Sequence, residues 1–236
     1  MPIIGTPDTE LQPVDFVLSL KKGKFGKIPG MSKIPEDLQN EAKYRHLLTL
    51  QYSEIATFVI DYIRRKTAVT IFFWSTCLVF LGISVMVRID ISAFYDFKKI
   101  LTHTILGLIV FPLAIIPVHE GLHIIPYFIS GARNIRIGVD LNQYMFYVTA
   151  HKYVASPIQF RIVAIIPFII ISLSLLFLTF YLPGLWKWSL SLFLFIHTTM
   201  CAGDFAMLNF YYVNRSGKIY TWDDADLKEA YFYQEI

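Results

Sequence analysis

The sequence predicts an all-α polytopic membrane protein of about four transmembrane helices, with a cytosolic N-terminal segment and a short β-hairpin between spans two and three. Three observations carry this. The 236 residues are 55% hydrophobic and only 17% charged, less charged than soluble domains usually are. The apolar residues gather into runs near the ~20 residues needed to cross hydrocarbon. Ten of the 21 Lys and Arg residues lie between Lys21 and Lys66, ahead of the first long run, where a basic flank marks the cytoplasmic side of a span. A nucleic-acid-binding face is a poor account of those charges, because no such motif is present and a span follows at once.

Three regions follow. Residues 1–66 form a cytosolic N-terminal segment, 67–213 a four-span membrane domain, and 214–236 a cytosolic C-terminal tail. Residues 1–45 mix Pro, Gly and Lys, with one short strand read over 13–20. From about Ala42 to Lys66 the pattern reads as helical. Ile55, Phe58, Val59, Tyr62 and Ile63 share a face, as in an interfacial helix. No signal peptide is expected, since the first apolar run starts only near Ala68.

Span one is read over 68–87, span two over 101–124 with Pro112 and Pro117 inside, span three over 162–182 and span four over 186–212. Pro183 and Gly184 make a turn, and Trp186 and Trp188 suit the membrane interface. Four spans put both termini on one side. The N-terminal segment, the 131–156 loop and the tail then hold ten, three and three basic residues, against Arg88, Lys98, Lys99 and Lys187 opposite. The excess assigns the first side to the cytoplasm, although Lys98 and Lys99 pull the other way. Between spans two and three, 135–141 and 144–149 alternate around a turn-rich Asp140–Gln143, which reads as a hairpin. Cys77 and Cys201 fall inside apolar runs and suggest no disulfide framework.

The chemistry sits in span two, at His119-Glu120-Gly121-Leu122-His123. Helical positions i and i+4 lie about 40° apart, so His119 and His123 point the same way and can share one zinc ion. Glu120 is the candidate catalytic base for the attacking water. It is the only acidic residue between Asp96 and Asp140, and charged groups within a membrane are costly unless they serve a function. A catalytic zinc usually takes three protein ligands. Asp204, alone among acidic residues between Asp140 and Asp223, is the candidate third. His119 and Asp204 each lie about 18 residues into spans that run in the same direction, hence at similar depth.

His197, two turns from Asp204 on nearly the same face, is an alternative ligand or a donor behind the ligands. Cys201 is a lesser alternative. His103, near the outer end of span two and facing away from His119, is set aside. His151 would line the mouth of the site. Pro117 and Pro126 bracket the motif and suit a helix facing a water-filled cavity.

These residues resemble a known family. HEGLH in a membrane helix, Gly131 soon after, a polar-aromatic hairpin and a later aspartate look like the site-2 protease class of intramembrane metalloproteases. The order is closer to the bacterial proteins described as putative zincin peptidases, short four-span chains of domain-of-unknown-function (DUF) type. There H-E-x-x-H is followed by a segment like 149–152 leading to Ser156-Pro157, then by a pair like Gly203-Asp204. The Asn-x-x-Pro and Leu-Asp-Gly signatures of true site-2 proteases are absent here, so their substrate handling does not carry over. The resemblance covers residues 100–212. It implies a Zn(2+)-dependent membrane peptidase acting on a membrane or membrane-proximal protein, in the bacterial inner membrane, with both termini cytoplasmic. The competing expectation is a non-catalytic scaffold or metal-binding membrane protein. No nucleic-acid partner is expected, and the sequence does not fix an oligomeric state.

Overall fold

A lone apolar segment satisfies its own amides in hydrocarbon only as a helix, and the long apolar runs are helical here. The structure is a computed structural model that describes residues 14–19, 33–91, 93–140 and 145–236. Helix α1 spans Ile55–Ile63 and α2 spans Ala68–Ile91. Helices α3 (Phe97–Ile105) and α4 (Phe111–Ile129) are joined through a π turn at Leu106–Val110 into one rod. Then come α5 (Pro157–Tyr181), α6 (Leu185–Met200) and α7 (Ala202–Val213). Three helices, Ala68–Ile91, Phe97–Ile129 and Pro157–Tyr181, are long and apolar enough to cross a membrane. The pair α6–α7, bent by 42°, makes a fourth if it counts as one span.

Span two is longer than expected because Asp96 caps it, its carboxylate accepting from the Lys99 amide at 3.0 Å. Span three starts early for the same kind of reason. Ser156 and Gln159 form a reciprocal capping box with Pro157 in the first turn. The break in span four has a local cause. The side chains of Thr198, Thr199 and Cys201 all donate to carbonyls in their own helix, which competes with the regular ladder and bends it.

The all-α expectation is corrected by six strands. Strands β1 (Val14–Ser19), β3 (Asn134–Asp140) and β4 (Met145–Ala150) form one antiparallel sheet in the order β1-β3-β4. Strands β2 (Tyr44–Gln51), β5 (Ile219–Asp224) and β6 (Glu229–Glu235) form a second, in the order β2-β6-β5. The strand read over 13–20 and the hairpin are therefore present, although the hairpin turn at 141–144 lies outside the described residues, as does most of 1–32. The helix read from Ala42 starts only at Ile55. Residues 44–51 instead pair with β6, and the expected tail is the β5–β6 hairpin. The two sheets meet where Lys152 and Ala155 donate backbone bonds to Asp223 and Thr221.

Helix α6 is the hub. Trp188 through Leu194 are buried around its whole circumference, and α2, α3 and α5 pack on it. Gly107 of the π turn lets that rod approach closely, since an added Cβ would stand 2.4 Å from the Ser189 carbonyl oxygen. At the other end α7 is clamped to the sheets. Phe58 and Tyr62 of α1 pack on Phe210. Buried Asn209 donates to the Tyr62 carbonyl at 2.7 Å and accepts from the Thr67 hydroxyl at 2.6 Å.

Two predictions follow from this packing. Gly107→Ala should cost about 1–3 kcal/mol of stability through overpacking, read as a lowered unfolding midpoint in detergent. An unchanged midpoint would show that the approach to Ser189 is looser than drawn. Asp223 stands among Tyr52, Tyr127 and Tyr211, and burial pushes its carboxyl from 3.8 up to about 6, offset in part by Thr149. A raised folded pKa means the folded state binds the extra proton. Stability is therefore lost as pH rises from about 4 through about 6. Asp223→Asn should be more stable than wild type at pH 7.5, by up to about 3 kcal/mol, and the gap should close near pH 4. A gap of equal size at both pH values would refute it.

Candidate metal centre

Helix α4 presents His119, His123 and Tyr127 at successive four-residue steps, and all three are buried. Helix α7 presents Asp204 in its first turn, just past the bend. One carboxylate oxygen of Asp204 lies 3.3 Å from His119 Nε2 and the other 3.5 Å from His123 Nε2. The structure thus brings together the three residues singled out as candidate ligands. The imidazoles are nearly closed off and Asp204 is the most open of the three, at 10%, 11% and 17% side-chain exposure.

The hydrogen-bond pattern fixes what these atoms can do. His123 Nδ1 lies 2.9 Å from the Val163 carbonyl oxygen, which can only accept. Nδ1 therefore carries the proton, and in the neutral ring Nε2 is a bare lone pair. That lone pair faces a carboxylate oxygen at 3.5 Å, a pairing that a shared proton or a metal ion between the two would stabilise. Zinc–nitrogen and zinc–oxygen bonds of ~2.0–2.1 Å in a tetrahedron place neighbouring donors about 3.3–3.4 Å apart. The 3.3 and 3.5 Å separations, each to a different Asp204 oxygen, are close to that spacing, and two imidazoles with a carboxylate are a donor set that suits zinc.

The Val163 carbonyl is free for a reason written in the sequence. Its helical donor would be the amide of residue 167, which is proline and has none. His119 is held by a different device. Its Nδ1 lies 3.4 Å from His197 Nε2, and His197 Nδ1 lies 3.2 Å from the Ser172 hydroxyl. A ligating imidazole is commonly oriented through its other nitrogen in this way. His197 thus stands behind His119, on the ring edge away from Asp204. Buried Cys201 lies on that same side, its Sγ donating to the His197 carbonyl and lying 3.9 Å from His197 Nε2. His119, His197 and Cys201 form an alternative donor group, but His197 and Cys201 are both fully enclosed, which leaves no way in for a reactant.

Glu120 is partly buried. A carboxylate oxygen, with donor atoms of His119 and His123, falls within a 4.8 Å cluster. Among the described residues it has no hydrogen-bond partner, so its carboxylate is available to a proton.

The remaining histidines are placed elsewhere. His103 Nδ1 meets the Ser189 hydroxyl at 2.7 Å and its ring packs on Trp186, far along the rod from the motif. His151 sits at the junction of the two sheets. Its Nδ1 accepts from the Ala225 amide at 3.1 Å and its Nε2 lies 3.5 Å from Asp226. The mouth-lining role expected for His151 gives way to a structural one. Ser172, Val163 and Pro167 were missed in the sequence. The only signals were a serine and a proline within span three, which look like ordinary helix packing.

Residues 112–217 match the model of a family described as putative zincin peptidase. No curated protein and no solved structure matches the chain. The matched stretch contains all of the residues above that meet at Asp204.

Pro167→Ala would restore an amide that competes with His123 for the Val163 carbonyl. The affinity for zinc, measured by competition with a chromophoric chelator, should fall about 10-fold or more with helical content intact. Unchanged affinity would mean the carbonyl does not orient His123.

Proposed function

We propose that the protein is a zinc-dependent peptidase embedded in a membrane, which hydrolyses a peptide bond of a membrane or membrane-proximal protein. The observation that carries this is the lone pair of His123 Nε2 facing the Asp204 carboxylate across a gap suited to a divalent ion. The match of 112–217 to a putative zincin peptidase family and the three to four apolar helices support it.

In this reading His119, His123 and Asp204 hold the metal. Bound there, zinc supplies a Lewis acid for the scissile carbonyl and makes water a nucleophile near neutral pH. Glu120 takes the proton of the attacking water and returns it to the leaving amine. His197, backed by Ser172, keeps the His119 ring aimed. An unwound substrate segment adds to the β3–β4 hairpin as a further strand.

The orientation has its own support. Strand β2 precedes every span and β6 follows every span, yet they pair from Tyr44↔Glu235 to Gln51↔Glu229. Segments of one sheet must lie on one side of a bilayer, which requires an even number of crossings. Four crossings, with α6–α7 as the last, satisfy this. The excess of Lys and Arg on that side supports assigning it to the cytoplasm.

The test is on purified protein in detergent. Wild type should carry about one zinc per chain by elemental analysis. Asp204→Asn and His119→Ala should lose it. Glu120→Gln should keep the zinc and lose cleavage by about 10²–10⁴-fold. Wild type without stoichiometric metal would end the zinc reading. Glu120→Gln cleaving like wild type would end the mechanism, and metal binding without cleavage of any membrane substrate would favour a scaffold.

A further inference from the structure

We infer that a groove between α2 and α5 binds one anionic phospholipid, with an acyl chain along its apolar floor and the phosphate between Arg161 and Arg215. This rests on the helices being membrane spans and is independent of the peptidase chemistry.

Helices α2 and α5 both pack on α6 and leave a furrow between them, floored at one end by α7. Its first section, about 470 Å³, is lined by Phe72, Ile165, Phe205 and Leu208, with Arg161 and Arg215 also in its wall. A second section of about 500 Å³ continues from Phe72 past Phe168 to Leu176. Each lies within the range of small-molecule sites. Along α5 the furrow runs from Arg161 to Leu176, fifteen residues or roughly 22 Å at ~1.5 Å rise. That is deeper than one leaflet, half of the ~30 Å hydrocarbon core. An acyl chain rooted at the interface is therefore long enough to lie along it.

The charge sits at one end only. Arg161 is in the second turn of α5, Arg215 lies two residues past the end of α7, and Arg64, Arg65 and Lys66 lead into α2. By the course of the chain these three helix ends share the side that carries the sheets. Among the described residues no carboxylate comes within ion-pair distance of Arg161 or Arg215, and no acidic residue lines either section. The Arg215 guanidinium lies over the Tyr212 ring at 4.1 Å and donates to its carbonyl at 3.2 Å, which fixes it at the rim. Two guanidinium groups without a protein anion, above an apolar furrow at the membrane interface, match a phosphate diester with a chain attached.

Native mass spectrometry of the full chain in detergent tests this, with phosphatidylglycerol and phosphatidylcholine of equal chain length as probes. Wild type should retain one phosphatidylglycerol, several-fold in preference to phosphatidylcholine. Arg161→Gln with Arg215→Gln should abolish the preference. Ile165→Trp with Leu208→Trp, which fills the furrow and keeps the charges, should reduce retention of both lipids at unchanged helical content. Equal retention of the two lipids by wild type would overturn the proposal, as would a preference surviving in the double arginine variant. Retention unaffected by the tryptophans, or displacement of the lipid by equimolar inorganic phosphate, would mean an anion site without a chain, which also overturns it. So would a furrow that takes up an apolar helical peptide in place of lipid.

Discussion

Two imidazole nitrogens and a carboxylate face one another between α4 and α7, and much of the surrounding structure serves to keep them there. None of the three is at ease in an apolar helix bundle. Two of the three are aimed by a backbone irregularity, and the third by a pair of buried side chains. The bend at Cys201 turns α7 so that Asp204 reaches α4. Pro167 leaves one carbonyl of α5 without a helical donor, and His123 uses it. The His197–Ser172 pair supplies a buried polar contact behind His119. A straight, fully bonded bundle would offer neither the bend nor the free carbonyl. The irregularities are the means by which a membrane helix obtains directional polar contacts.

The sheets matter to the site through α7. This helix is short, at 12 residues, and its start lies at a break, so its own ladder fixes its direction poorly. Asn209 and Phe210 tie it to α1 and to the α1–α2 turn, and α1 follows directly from β2. The second sheet, closed by strands from the two ends of the chain, thus holds the helix that delivers Asp204. Chain ends that look expendable in the sequence set the position of a residue in the middle of the bundle.

What could be read from the sequence follows the range of the interactions involved. Apolar runs are local properties of composition: three emerged as long apolar helices near the expected places, and the fourth as a bent pair of shorter ones. The hairpin is local alternation, and it emerged too. Asp204 was legible by isolation, because a single carboxylate in a long apolar stretch has few reasons to be there. Strand β2 was not legible. Its burial alternates only weakly, and what makes it a strand is β6, almost the whole chain away. The same holds for the tail, which became a hairpin only because a partner strand was waiting. Pro167 was visible as a letter, but its effect depends on His123 arriving beside Val163 from another helix.

Ser172 is the point at which the groove and the metal centre come closest to a common part. It lines the second section of the furrow, and its hydroxyl is the last member of the chain that runs through His197 to His119. It is also buried, so the furrow reaches its surroundings without opening onto the imidazoles themselves. An apolar chain lying along α5 at this level keeps water from the serine hydroxyl and leaves His197 as its polar neighbour. Water in the furrow would offer that hydroxyl a competing partner and loosen the hold on His119. The membrane's own lipid, on this view, is part of what keeps the buried polar chain dry on one side, while the exposure of Asp204 leaves the reacting side open.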